Sequence, residues 1–310
     1  MTTVTRPRPA HRRGERVVVG VDGSDAAWQA LRWAAAETGL RGAPLLLVHA
    51  GDVGGGGRGV LSRARTLVRA LAPGTETRVA LRPGPPERVL VDAAAGEALL
   101  VTGGRGLGST PRSALGSVSA AVVECARCPV VVVRGPAPDT GPVVVGVDGT
   151  PASDSAVAMA FAEAALRGAP LVAVHTFSDV AFTDLWTVLP LDVDRLAVEG
   201  VERQLLADRL SGARQAHPDV EVRLLVRRDR PVRALLAEAA GARLVVVGSR
   251  GAHTGAGMGL GSTSRTLTRL CDCPVAVVHP SDPLASGPRS RSAGAARTCP
   301  ADPVQHRLIP

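Results

Sequence analysis

Short runs of consecutive apolar residues, most of them valine, alternate along the chain with longer stretches rich in alanine. The run from Val17 to Val21 is interrupted only by Gly20, and the run from Val143 to Val147 has the same form. Unbroken β-branched runs are typical of parallel strands that are covered by helices on both faces. Strands that alternate with helices build an α/β sandwich with right-handed crossovers. The pattern therefore predicts open parallel sheets.

The predicted elements follow one order in both halves of the chain. In the first half, strands are predicted at 17–21, 45–49, 77–81, 98–102 and 130–133, and helices from the cap Ser24 to about Gly39 and at 60–71, 86–96 and 117–126. In the second half, strands are predicted at 143–147, 220–226, 244–247 and 275–278, with one more that closes at His175, and helices after Thr150-Pro151 and at 196–210, 231–241 and 262–270.

This common order reflects a sequence repeat. VVVGVDGS at 17–24 returns 126 positions later as VVVGVDGT at 143–150. GSVS at 116–119 returns 145 positions later as GSTS at 261–264, so the second copy carries an insertion of 19 residues in its middle. Spacing that is kept in both copies marks the residues that the fold or a site needs.

The repeat predicts the domain boundaries. We expect two domains at residues 16–134 and 143–280, joined by a short linker at 135–142 that reads GPAPDTGP. The basic N-terminus, 1–15, and the Pro-, Ser- and Arg-rich C-terminal tail, 281–310, are predicted to be disordered. A chain of 310 residues is long enough for two ordinary domains without disulfide or metal cross-links.

The charge of the chain argues against nucleic-acid binding. The net charge is +8, but residues 1–16 and 281–310 hold nine arginines against three acidic residues, so the repeated body is near +2. Aromatic residues for base stacking make up only 2% of the chain. No apolar run is long enough to span a membrane, and no signal-peptide core follows the N-terminus, so a cytoplasmic protein without membrane or nucleic-acid partners is expected.

Two chemistries are excluded by the absence of lysine, since every basic residue other than histidine is arginine. A Walker-type phosphate loop requires a lysine after its glycines, and Schiff-base catalysis requires a lysine amine. The cysteine pairs Cys125 with Cys128 and Cys271 with Cys273 suggest zinc, but each precedes a buried strand, where small apolar thiols pack well. We therefore expect no metal site.

The glycine-rich loop after the fourth strand of each copy carries the candidate chemistry. It runs Gly103, two residues, Gly106, nine residues, then Gly116 and Ser117, and the second copy repeats this spacing at 248, 251, 261 and 262. Glycines let backbone N–H groups approach a phosphate, and a helix N-terminus adds further donors and a partial positive charge. The alternative is a tight strand-to-helix turn with no ligand.

Other candidate residues lie at the carboxyl ends of the strands, where open α/β sheets bind ligands. Asp22 and Asp148 follow the first strand of each copy and could accept hydrogen bonds from ribose hydroxyls or an adenine amine, or only cap their own turns. His49 and His175 are interpreted as packed core residues. No nucleophile with a base partner occurs at matching positions, so no catalytic residue is predicted.

The loop also carries an arginine in each copy. Arg105 and Arg250 could neutralise phosphate charge, or they could face solvent instead.

Together, VDGS or VDGT after the first strand, VHA or VHT after the second, and the glycine spacing before the last helix resemble the universal stress protein family. The resemblance extends from about Arg16 to Pro280, and the two-copy form looks like the tandem members from actinobacteria. It implies two tandem open five-stranded parallel-sheet α/β sandwich domains, Rossmann-like and adenine nucleotide alpha hydrolase-like. In this family, the glycine pattern distinguishes members that bind ATP.

The resemblance also implies the ligand-binding residues. In the first copy they are Gly20, Asp22 and Ala50 around the base and ribose, and Gly103, Gly106, Gly116, Ser117 and Val118 around the ribose and phosphates. In the second copy they are Gly146, Asp148, Thr176, Gly248, Gly251, Gly261, Ser262 and Thr263. Pro111 lacks an N–H in the first loop, which favours the second site.

Family members commonly pair their last strands across a dimer axis. This implies that 130–133 pairs with 275–278 inside this chain, while a homodimer of the whole chain stays open.

The leading hypothesis is an ATP-binding stress-response regulator, binding ATP alone or with Mg²⁺, that has little or no hydrolysis and acts on an unknown protein partner. A slow ATPase or phosphotransferase, and a structural adaptor that binds no nucleotide, are the alternatives. The sequence leaves ATP, AMP and a cyclic nucleotide open as ligands.

Overall fold

The structure is a computed structural model, and it describes residues 16–52, 56–106, 115–135, 138–149, 153–177, 195–251 and 259–280. The predictions for the two tails, for Pro111 and for the cap at Thr150-Pro151 lie outside the described residues.

Each copy contains five strands and four helices within the described residues. The first copy comprises β1 (Val17–Gly20), α1 (Asp25–Arg41), β2 (Leu45–Ala50), α2 (Gly57–Leu71), β3 (Thr77–Arg82), α3 (Pro86–Ala93), β4 (Leu99–Gly103), α4 (Ser117–Cys125) and β5 (Val130–Val133). The second copy comprises β6 (Val143–Val147), α5 (Asp154–Arg167), β7 (Leu171–Phe177), α6 (Arg195–Ala216), β8 (Val222–Arg228), α7 (Pro231–Ala239), β9 (Leu244–Gly248), α8 (Ser262–Leu270) and β10 (Val275–Val278).

Several helix ends differ from the predictions. The α1 helix begins after Ser24, whose side chain accepts a hydrogen bond from the Ala27 N–H at 3.2 Å, so the predicted cap is confirmed. It continues past Gly39 to Arg41, and its C-cap, Gly42, adopts the left-handed conformation with φ of 61°. The α3 and α7 helices end three and two residues before the glycines predicted to close them, and α6 begins one residue earlier and ends six residues later than predicted.

All ten strands form one sheet in the order β3-β2-β1-β4-β5-β10-β9-β6-β7-β8. Every neighbouring pair is parallel except β5 and β10, which are antiparallel with Ala276 opposite Val131. The five strands of each copy are parallel, as predicted. The predicted pairing of the last strands is also confirmed, and it joins the two five-stranded halves into one sheet. The pairing gives hydrogen-bond partners to β5 and β10, which would otherwise be edge strands of their halves.

Successive valines of the central strands face opposite sides of the sheet, and each side has its own core. Val17 and Val19 face α1 and α2, with α5 and α6 covering the same side in the second copy. Val18 faces the other side, where the apolar residues of α3, α4, α7 and α8 pack. Within the described residues, the helices thus cover both faces of the sheet.

A buried group of charged residues joins the two copies where α1 contacts α5. Arg41 donates to Glu37 (Nε to Oε1, 2.5 Å) and to Glu163, and Arg167 donates to Glu163 and to Glu37 (Nη2 to Oε2, 2.5 Å). Glu163 and Arg167 lie 126 positions after Glu37 and Arg41, so each arginine bridges its own glutamate and the equivalent one. Both glutamates are at most 1% exposed. We call these four residues the charge quartet.

Among the described residues, no helix is both long enough and apolar enough to cross a bilayer.

Replacing Gly212 in α6 by alanine should raise the free energy of unfolding by about 0.5–1 kcal/mol, because alanine has the higher helix propensity. A Cβ at this position would meet no atom within 4 Å. Gly42 is the matched control, since its surroundings are equally open but its φ of 61° is unfavourable for alanine. Thermal unfolding should show opposite shifts for the two variants, and shifts of the same sign would contradict the prediction.

Candidate functional site

The strand order places one cavity in each copy. The β1 strand lies between β2 on one side and β4 on the other, so the strand order reverses between β1 and β4. In open α/β sheets, a crevice forms at such a point, beyond the carboxyl ends of the two strands. The β6 and β9 strands form the same arrangement in the second copy. Each cavity lies between the turn after the first strand and the glycine-rich loop after the fourth.

All residues predicted for the first copy line its cavity, which has a volume of about 450 Å³. They are Gly20, Asp22, Ala50, Gly103, Gly106, Gly116, Ser117 and Val118. All residues predicted for the second copy line a cavity of about 230 Å³. They are Gly146, Asp148, Thr176, Gly248, Gly251, Gly261, Ser262 and Thr263. The structure therefore brings each predicted set together, while the ligand that each set binds stays a prediction.

Asp22 makes the local turn that was considered as its alternative role. Its Oδ1 accepts hydrogen bonds from the backbone N–H of Ser24 at 2.9 Å and from the Ser24 hydroxyl at 2.6 Å. The same hydroxyl caps α1. Oδ1 is thus used within the protein, and the other oxygen, Oδ2, lies toward the glycine-rich loop.

The second glycine of each loop is required because the loop passes close to this carboxylate. A Cβ on Gly106 would lie 2.8 Å from Asp22 Oδ2, and a Cβ on Gly251 would lie 3.1 Å from Asp148 Oδ2. Both distances are shorter than ordinary contacts, so a side chain there would force either the carboxylate or the loop to shift. The aspartate and the glycine-rich loop therefore act as one unit.

The third glycine of each loop starts a helix. Gly116 and Gly261 adopt extended conformations as the N-caps of α4 and α8. Their own N–H groups donate back to the loop, from Gly116 to the Gly104 carbonyl at 2.9 Å and from Gly261 to the Ser249 carbonyl at 2.8 Å. The donors that a helix leaves without partners in its first turn therefore begin at Ser117 and Ser262.

Two serines that were not predicted as site residues hold these helix starts in place. Ser119 donates to the Gly103 carbonyl at 2.6 Å, and Ser264 donates to the Gly248 carbonyl at 2.5 Å. Each serine ties the first turn of a helix to the end of the strand beside it. The repeat of GSVS as GSTS was a usable signal, since the fourth residue of the motif is a serine in both copies.

The floor of each cavity was also missed. A Cβ on Gly20 would lie 2.9 Å from Leu90 Cδ1, and a Cβ on Gly146 would lie 3.0 Å from Leu235 Cδ1. These leucines of α3 and α7 fill the space that a side chain on the first strand would need. They supply the apolar surface on which a planar group could rest.

His175 is buried as expected, whereas His49 is half-buried and lines the first cavity; each also holds the backbone beside an aspartate. His49 Nδ1 lies 2.7 Å from the Val21 carbonyl, and His175 Nδ1 lies 2.8 Å from the Val147 carbonyl. These carbonyls immediately precede Asp22 and Asp148. His175 also has an acidic neighbour on its other nitrogen, with Glu202 Oε2 at 3.1 Å from Nε2.

Arg105 and Arg250 both line their cavities, so each can face an anion there.

The described residues contain no group of three or more His, Cys, Asp or Glu side chains that could hold a metal ion. Cys128, Cys271 and Cys273 are buried free thiols, and burial raises the pKa of Cys128 to about 11, which fits the packing role predicted for it.

Comparisons with known proteins place this geometry in a known family. The model of the universal stress protein family matches residues 14–134 and 140–279. Universal stress protein Rv2623 of Mycobacterium tuberculosis is 38% identical over 292 residues, which are 86% of this chain and 96% of that protein. A universal stress protein from Archaeoglobus fulgidus is similar in structure, with a TM-score of 0.58 and 20% identity, covering 85% of this chain and 98% of that one.

A universal stress protein solved in complex with cAMP is similar to 40% of this chain, with 98% of that chain covered, 29% identity and a TM-score of 0.35.

Proposed function

Because the chain belongs to the universal stress protein family, we propose that it binds ATP in its two cavities and acts as a nucleotide-dependent stress-response regulator. Binding, with little or no hydrolysis, is the function. The observation that carries the proposal is the twofold occurrence of one arrangement, in which a strand-end aspartate, a glycine-rich loop and a helix N-terminus surround a cavity.

The phosphates would lie at the N-termini of α4 and α8. The first-turn N–H groups and the positive end of the helix dipole favour an anion there. The hydroxyls of Ser117 and Ser262 add donors, and Arg105 and Arg250 line the same cavities with positive charge.

The nucleoside would lie over the first strand of each copy. Asp22 Oδ2 faces the cavity loop and can accept a hydrogen bond from a ribose hydroxyl, while Oδ1 keeps the turn rigid through Ser24. Leu90 and Leu235 offer an apolar surface for the base. A preformed, mostly apolar cleft with a few oriented polar groups is the common form of small-molecule sites.

Calorimetry with ATP tests the proposal. The purified chain should bind ATP saturably at two sites, and Gly116→Leu or Gly261→Leu should each remove one of them, because a bulky side chain at the helix start displaces the glycine-rich loop. A Cβ on Gly116 would lie 3.4 Å from Arg105 Cα and 3.5 Å from the Gly106 nitrogen. Gly39→Ala is the control, since a Cβ on Gly39 meets nothing within 4 Å. It should keep both sites.

Absence of heat, and of any shift in melting temperature, at millimolar ATP would reject the proposal and favour the adaptor hypothesis. Steady phosphate release well above background would favour the ATPase hypothesis. Binding with and without Mg²⁺ decides whether the ion accompanies the nucleotide.

The predicted domain boundaries are proposed on the same basis. The matched regions, 14–134 and 140–279, support domains at 16–134 and 143–280 with a short linker between them. The cytoplasmic location, the protein partner and a homodimer of the whole chain stay predictions.

A further inference from the structure

The helices on one side of the sheet carry an uneven distribution of charge. These helices are α1, α2, α5 and α6, and we call their outer surface the α2–α6 face. Outside the charge quartet, α1 and α2 hold five arginines and one acidic residue. The α5 helix and residues 198–216 of α6 hold three arginines and four acidic residues, and the sequence directly before α6, 178–194, adds four aspartates and no basic residue. The face is therefore strongly basic in the first copy and net acidic in the second.

A groove between α1 and α2 concentrates the positive charge. Arg32 and Arg63 line it together with Trp28, and the Arg63 Cζ lies 5.3 Å from the centroid of the Trp28 ring. Asp25 also lines the groove, but among the described residues neither arginine forms an ion pair with it or with any other carboxylate. Two guanidinium groups beside an aromatic ring can bind an acidic side chain from another molecule.

The second copy shows that the fold does not require this groove. Trp28 is replaced by Asp154, 126 positions later, and Arg63 is replaced by Asp208, 145 positions later. Both aspartates are exposed. Asp208 accepts a hydrogen bond from Gln204 at 2.8 Å and forms no ion pair with another described residue. Equivalent places on the surface thus have opposite charge in the two copies.

Exposed apolar side chains are also concentrated on the α2–α6 face. Within the described part of the chain, five of the seven large apolar residues that are exposed lie on its helices: Leu40, Leu71, Leu166, Val201 and Leu205. Val201 is 68% exposed and Leu205 is 41% exposed. With Asp208 they follow one another along α6 at spacings of four and three residues, so the three lie on one side of the helix. An apolar stripe that ends at a carboxylate is suited to a protein contact.

We propose that the α2–α6 face binds a second molecule of this chain across a twofold axis. The axis places α2 of each molecule against α6 of its partner, so that Arg63 pairs with the partner's Asp208. Arg63 lies midway along α2, and Asp208 is its equivalent in α6, which lets the two helices meet near their centres. A twofold contact of this kind is closed, and each pair occurs twice in it.

A second molecule fits the whole face better than a polyanion does. Nucleic acid or an anionic membrane would match the arginines of α2, but either one would be repelled by the acidic second copy. The same chain supplies both the basic half and the acidic, apolar half of the contact. The proposal does not depend on nucleotide binding.

Sedimentation velocity of the full chain without nucleotide tests the proposal. At roughly 50 μM chain and low salt, we expect a dimer with twice the chain mass of 31.7 kDa. About 0.5 M NaCl should weaken the dimer, because salt screens the charge pairs at its rim. A chain that stays monomeric at low salt would overturn the proposal.

Charge reversal tests which residues meet. Arg63→Glu and Asp208→Arg should each raise the dissociation constant of the dimer at least about tenfold, because each change places two like-charge pairs in the contact. An equal mixture of the two variant chains should restore the dimer, since both pairs then have opposite charges. Arg269→Glu is the matched control, because it makes the same charge change on α8, on the other side of the sheet. Melting temperatures establish that each variant is folded.

Other outcomes would contradict this arrangement. A dimer that tolerates both charge reversals, or a mixture that does not restore it, would overturn the pairing of α2 with the partner's α6. Binding of a short DNA duplex, or of vesicles that contain phosphatidylserine, by a chain that stays monomeric would also overturn the proposal. Such binding would assign the arginines of α2 to a polyanion instead.

Discussion

Replacing Arg167 by leucine should lower the free energy of unfolding by about 3–5 kcal/mol at pH 8, as expected when one partner of a buried ion pair is removed. Arg167 donates to both glutamates of the charge quartet, and its side chain is 4% exposed. Without it, Glu37 and Glu163 share the single charge of Arg41 in a region from which water is excluded. Urea unfolding followed by circular dichroism measures the loss.

This loss should become smaller as the pH falls from 8 toward 5.5. Burial, followed by the nearby Glu37 carboxylate, raises the pKa of Glu163 to about 7 in the folded chain, above the value of 4.5 for an unperturbed glutamate. A carboxyl whose folded pKa is raised binds its proton more tightly in the folded state, so protonation between pH 7 and 4.5 stabilises the fold. Without Arg167 the charged form of Glu163 is less favoured still, so the variant gains more stability than the wild type as the pH falls.

Two other arginines provide controls for this prediction. Arg41→Leu should cost less, because the Arg41 side chain is 23% exposed and water can partly replace its contacts. Arg203→Leu should cost at most about 0.5 kcal/mol, since Arg203 pairs with Glu199 at the surface. An Arg167 variant that is no less stable than the Arg203 variant would contradict the role of the quartet.

Replacing Gly103 by alanine should remove nucleotide binding at the first cavity and destabilise the fold by about 1–3 kcal/mol, the usual cost of overpacking. A Cβ at this position would lie 2.6 Å from the carbonyl carbon of Ala26 and 2.7 Å from its oxygen. Both are backbone atoms that cannot rotate away, so the end of β4 and the start of α1 must separate. The loop between Gly103 and Gly116 then loses its position relative to Asp22.

Calorimetry with ATP should detect one site in the Gly103 variant instead of two, with affinity at the damaged site reduced at least about tenfold, or 1.4 kcal/mol. The second cavity is the internal reference, because it is built from separate strands. Gly39→Ala, at the far end of the same helix, tests whether any alanine in this region has the effect. Two sites of unchanged affinity in the Gly103 variant would contradict the prediction.

Strand positions could be read closely from the sequence where a run of valines begins directly after a proline. The strands Val130–Val133, Val143–Val147 and Val275–Val278 have the predicted bounds, because buried parallel strands leave little choice of residue. Helix ends were less certain. Gly39 suggested an end, yet α1 continues to Arg41, and the left-handed cap falls at Gly42.

The charge quartet could not be predicted in the same way. Glu37 and Arg41 are four residues apart on a helix, a spacing that is usual for exposed ion pairs. Only the antiparallel pairing of β5 with β10 brings α1 against α5 and buries both pairs together. The repeat at 163 and 167 was a signal, but it carried no information about which helix faces would meet.

What the sequence by itself determined was the composition of each site, because duplication kept the aspartate directly after its strand and the loop glycines and serine at one spacing, although the second copy has 19 more residues between them. The tertiary structure alone decided how these residues are used: one oxygen of Asp22 holds its own turn, and Gly106 leaves room for the other. Spacing along the chain specifies which groups can meet at a strand end. Distances between groups, and burial, arise only when separate elements pack together.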